Sequence, residues 1–120
     1  MKNLLLIPIL ISTLAFAEES VSHSSKAMNV AISYCKARKD DNFIKMGKLL
    51  TYKGNQEMEK ELAKWDRDPS LKLAITRKLQ YIDCTIIDNT KIDDIAWRYN
   101  FKSFSSVKVK RIAGQWKVYK

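Results

Sequence analysis

The 120-residue sequence predicts an α+β fold, with N-terminal helices packed on an antiparallel sheet. Two patterns predict it. Between Ala27 and Trp65, apolar residues recur at three- and four-residue spacing, as on one face of a helix. Between Ile82 and Val118 they recur at every second residue, as on one face of a strand. Helices followed by strands, without βαβ alternation, is the α+β order.

Ahead of the first helix lies a different segment, "MKNLLLIPILISTLAFAEES". Lys2 supplies a positive start, Leu4 to Phe16 is almost wholly apolar, and Ala15-Phe16-Ala17 is a small-x-small cleavage pattern. These are the three parts of a secretory signal peptide, predicted over residues 1–17. The apolar run is shorter than the roughly 20 residues a membrane-spanning helix needs. Cleavage leaves about 100 residues, enough for one domain with a modest core. Residues 18–25, "EESVSHSS", are small and polar and predict a flexible leader, so residues 26–120 form the single domain. A periplasmic or secreted protein is the expected product.

Within the domain, Ser24 or Ser25 can cap a helix running to about Lys39. Its apolar stripe is Ala27, Met28, Ala31, Tyr34 and Cys35. "KDDN" at 39–42 ends it, and Asp41 can cap a second helix striped by Phe43, Met46, Leu49 and Leu50. Gly54-Asn55 marks a turn before a third helix carrying Met58, Leu62 and Trp65. Asp68-Pro69 predicts a cap with proline at the first helical position. Residues 70–78 fit a strand or a helix, with the short helix preferred.

The strands follow. Ile82, Cys84 and Ile86 share one face over about 78–88, and "DNTK" at 88–91 predicts a turn. Ile95, Trp97, Tyr99 and Phe101 alternate with Ala96, Arg98, Asn100 and Lys102. The close, "VKVKRIAGQWKVYK", predicts a hairpin turning at Ala113-Gly114. Val107, Val109, Trp116 and Val118 face the core, and Lys108, Lys110 and Lys117 face outward.

Charge is unevenly placed. The net formal charge is +9, but no Asp or Glu follows Asp94. Arg98, Lys102, Lys108, Lys110 and Lys117 are therefore predicted to share one basic sheet face. It serves either as a solvated, aggregation-resistant surface or as a site for an anionic partner. Export argues against DNA or RNA as that partner. Cys35 and Cys84 are the two cysteines, and an oxidising compartment favours their pairing. Two cysteines and one histidine show no metal-ligand spacing. His23 lies in the leader, where nothing positions it for acid–base work.

"NVAISYCKARKDDNFIKMGKLL" resembles the opening of small exported domains of the nuclear-transport-factor-2-like (cystatin-like) superfamily. Ala31, Tyr34, Ala37, Asp41, Leu49 and Leu50 carry that likeness. Gly114, Trp116, Lys117 and Val118 are similar to the family's final hairpin. The resemblance implies a sheet curved into a cone around a long helix, with a pocket lined by Tyr81, Asp83, Trp97, Tyr99 and Phe101. It also implies that many members bind ligands without catalysis, or dimerise through the sheet. Others are isomerases or dehydratases, for which Asp83 is the available acid–base residue here. With no histidine in the domain, no phosphate loop and no nucleophile motif, the preferred expectation is a non-enzymatic binding or accessory domain with no cofactor. An anionic envelope component, a protein partner or a second copy of the chain are its candidate partners.

Overall fold

The computed structural model describes residues 25–119. The expected signal peptide, His23, and most of the leader lie outside those residues. Helix α1 is described over residues 25–39; Ser25 is already within it, and Ser24 lies outside the described residues. Helices α2 (Phe43–Leu49), α3 (Tyr52–Arg67) and α4 (Pro69–Leu79) follow. Strands β1 (Ile86–Asp93), β2 (Ala96–Phe101), β3 (Val107–Ile112) and β4 (Gln115–Tyr119) form one antiparallel sheet in the order β1-β2-β3-β4.

The helix boundaries follow from local chemistry, with two corrections. Asn42, not Asp41, caps α2, its side chain accepting from the Lys45 amide at 3.2 Å. Asp41 instead takes the left-handed conformation that ends α1 (φ 59°), which aspartate tolerates better than most residues. Gly54-Asn55 is not a turn but part of α3, because Thr51 caps that helix three residues earlier by accepting from the Gly54 amide at 3.1 Å. A Cβ on Gly54 would come within 3.2 Å of both Leu50 and Thr51, so the close packing there favours glycine. Asp68 caps α4 ahead of Pro69 as expected, accepting from the Leu71 amide at 3.2 Å.

The first strand is shifted from its expected place. Residues 80–81 turn off the end of α4, 82–85 connect outside the ladder, and β1 begins at Ile86. "DNTK" is not a turn; it lies mid-strand, with Thr90 paired to Arg98 and Lys91 to Trp97. The turn falls at 94–95, where Asp93 accepts from the Ile95 amide at 2.8 Å, and it leaves Ile95 exposed rather than inward. The alternation of 82–86 still holds in the connection. Ile82 is buried and Cys84 and Ile86 pack on the core, while Tyr81 and Thr85 are exposed.

The final hairpin is as expected. Ala113 (φ 51°) and Gly114 (φ 78°) are both left-handed, the signature of a type I′ two-residue turn that matches strand twist. Val107, Val109, Trp116 and Val118 are buried on the inner face beside Tyr99 and Phe101. Ala27, Ala31, Tyr34, Cys35 and Ala37 of α1, Met46 of α2, Leu50, Met58 of α3 and Ile82 share this core.

Neither sheet edge presents a long, regular strand. Beside β4, Leu50 forms a parallel bridge to Val118, and the Thr51 amide donates to the Val118 carbonyl at 2.9 Å. Free-edged β1 carries irregularities between Ile86 and Asp88 and between Lys91 and Asp93, which interrupt the regular edge another strand would need. Cys35 and Cys84 form a disulfide with Cα atoms 5.8 Å apart, tying α1 to the connection before β1. That bond fits an exported protein. Among the described residues, no helix is long and apolar enough to cross a membrane.

Candidate functional site

The outer sheet face is built by strand pairing. Arg98 of β2 lies directly opposite Lys108 of β3, and Lys110 of β3 opposite Lys117 of β4. Tyr119 pairs with Lys108 at the end of β4. The Lys108 and Lys110 ammonium groups lie 5.0 and 4.7 Å from the centroid of the Tyr119 ring. The quadrupole of the ring attracts both cations. Being so close to one ring, the two ammoniums lie within about 10 Å of each other, comparable to the screening length at physiological salt, so their fields overlap. Tyr119 was not among the expected face residues, although it shares the parity of Lys117 and follows it by two positions.

Two other expected members of the face are engaged elsewhere. Lys117 donates to the Lys48 carbonyl at 2.6 Å, serving the C-terminal end of α2, where a cation is favoured. Lys102 follows the end of β2; its amide bonds the Thr85 carbonyl at 3.0 Å, and its charge acts on Asp83. The concentrated part of the face is thus Lys108 and Lys110 over Tyr119, with Arg98 opposite Lys108.

The residues expected to line a cone are distributed differently. Tyr99 and Phe101 are buried in the core, and Trp97 is half-buried and stacked on Tyr99 with centroids 6.4 Å apart. Tyr81 is 84% exposed. Asp83 sits in the 82–85 connection, where its Oδ1 accepts from the Thr85 amide at 2.9 Å and from the Thr85 hydroxyl at 2.6 Å. These two bonds hold the Asp83 carboxyl below its ordinary pKa of 3.8. A general base working near neutrality needs the opposite shift. Clefts of 200, 260, 460 and 490 Å³ open elsewhere beside the helices and β4, and none of those four is lined by Tyr81, Asp83, Trp97, Tyr99 or Phe101. Among the described residues, no cluster of three or more His, Cys, Asp or Glu side chains could hold a metal ion.

Compared with known proteins, the chain matches no family model, no curated protein and no solved structure.

Proposed function

We propose that this chain is an exported, non-enzymatic binding domain that docks its basic sheet face on an anionic component of the cell envelope. The observation that carries the reading is the placement of like charges on the inner strands, Arg98 directly opposite Lys108 with Lys110 two residues further along β3. Such pairs destabilise a sheet. Cations can be placed on edge strands to block aggregation, but β2 and β3 are the two inner strands. Edge protection therefore does not account for Arg98, Lys108 and Lys110. A surface that speeds and orients the approach of an anionic partner does.

The signal-peptide pattern of residues 1–17 and the Cys35–Cys84 bond support placement outside the cytoplasm. The resemblance of the chain to ligand-binding members of the nuclear-transport-factor-2-like superfamily is compatible with a binding role. The downward pKa shift of Asp83 counts against the isomerase or dehydratase alternative.

The test uses oxidised mature protein with anionic vesicles, zwitterionic vesicles and an acidic polysaccharide over a salt series. Binding to an anionic surface is expected to weaken steeply above about 0.15 M salt. The variant carrying Arg98→Gln, Lys108→Gln and Lys110→Gln is expected to lose at least about tenfold in affinity, roughly 1.4 kcal/mol, with its thermal midpoint unchanged or raised. Equal binding by parent and variant, or no binding to either anionic surface, defeats the proposal.

A further inference from the structure

A cleft of about 200 Å³ opens where α1 passes the start of β3. Its polar lining comes from Tyr34 and Arg38 of α1, Ser105 and Ser106 of the connection between β2 and β3, and Lys108 and Tyr119; the rest of its wall is apolar. Its walls thus carry a guanidinium, an ammonium and several hydroxyls, and no carboxylate.

Arg38 is oriented from within the fold. Its guanidinium carbon lies 5.7 Å from the centroid of the Trp65 ring, in a neighbouring cleft that Glu61 also lines, and its charge acts on Tyr34. A guanidinium has five N–H donors, so these contacts leave several unused. Among the described residues, no carboxylate forms a salt bridge with Arg38. Tyr34 is buried, and that burial raises its pKa above 10.0, so its hydroxyl keeps a proton to donate at neutral pH. Ser105 and Ser106 lie between strands, with their side chains outside the sheet core. Stacking on Trp65 explains where Arg38 is held. It does not explain why a second cation and four hydroxyl-bearing residues border the same small space.

We propose that this cleft binds a tetrahedral oxyanion, a phosphate or sulfate group. The planar fork of Arg38 matches two oxygens of such a group, the hydroxyls donate to the others, and Lys108 offsets the charge. The volume is below the roughly 300–1,000 Å³ of sites that enclose a whole drug-sized ligand. The anionic group enters, and whatever it is attached to lies outside. The site goes beyond the sheet-face reading, since Arg98 and Lys110 do not line it, and Lys108 and Tyr119 are the residues shared.

The test is an NMR titration of the oxidised mature protein with inorganic phosphate, sulfate and acetate, against chloride at matched ionic strength. Phosphate and sulfate are expected to give saturable shifts at the amides of 34–38 and 105–108, with acetate weaker. Arg38→Lys keeps the charge but loses the fork, and is expected to weaken phosphate binding at least about tenfold. The double variant Ser105→Ala/Ser106→Ala, on an exposed connection, is expected to weaken it about fivefold or more. Lys60→Gln, on the exposed surface of α3, should leave it unchanged. Comparing glucose 1-phosphate with phosphatidic acid vesicles identifies the source, because the tighter of the two marks a soluble phosphate ester or a lipid headgroup. The proposal is overturned by shifts that do not saturate or that chloride reproduces, by saturation mapping to other residues, or by parent-like affinity in the folded Arg38→Lys variant. Should that variant not fold, parent-like affinity in the double serine variant overturns it equally.

Discussion

Replacing both cysteines, Cys35→Ala with Cys84→Ala, tests how much of this small domain's stability rests on one covalent link. The bond joins residues 49 apart in sequence. Closing a loop of that length removes roughly 14 cal/mol/K of chain entropy from the unfolded state, about 4 kcal/mol at 25 °C. Alanine at position 35 stays within a fully buried, apolar site, so the native state loses little beyond a small volume. A loss of about 4 kcal/mol is a large share of the roughly 5–15 kcal/mol that holds a typical domain folded. Urea denaturation with intrinsic fluorescence from Trp65, Trp97 and Trp116 measures it. With a slope of about 1 kcal/mol/M, the midpoint should fall by roughly 3–4 M, and the slope should rise as the uncrosslinked unfolded chain expands. Reducing the parent protein should reproduce the shift. A change below about 1 kcal/mol, with the slope unaltered, would refute the reasoning and place the stabilisation in the packing of α1 on the sheet.

Two further outcomes are expected. Ala113 pays for a left-handed backbone in the I′ turn, whereas asparagine before glycine is favoured there; Ala113→Asn should raise the denaturation midpoint by the equivalent of about 0.5–1 kcal/mol, and a lower midpoint contradicts the turn assignment. Asp83 should titrate below 3.8 because Thr85 donates to it twice, and Thr85→Val should raise that value. Its folded pKa is lowered, so the stability it contributes is present above the unfolded value and lost as pH falls through the folded value. Carboxyl NMR of Asp83 finding a midpoint at or above 3.8 counts against this account.

What the sequence determined by itself was whatever depends on near neighbours. The Asp68-Pro69 start of α4 is written in adjacent residues, since the cap and the missing proline amide act within one turn. The hairpin of β3 and β4 is equally local, as the Ala113-Gly114 turn sets the register and the alternating valines choose the face. Strand β1 is the contrary case. All of its residues after Ile86 are exposed, so it shows no alternation, and its central "DNTK" has turn composition. Only pairing with β2 makes it a strand, because the ladder satisfies backbone groups whatever the side chains prefer. Gly54 likewise looks like a break until Thr51 caps ahead of it.

The same division runs through the candidate sites. Period-two spacing was enough to put Lys108 and Lys110 on one face. That Lys117 leaves that face for the Lys48 carbonyl, 69 residues away in sequence, is a property of tertiary packing. Tyr119 between two ammoniums depends on strand pairing. Arg38 and Ser105 border one cleft only because packing brings α1 beside the connection that precedes β3. Contacts between residues so far apart in sequence leave no periodic trace in it, because their chemistry is assembled by packing and not by spacing.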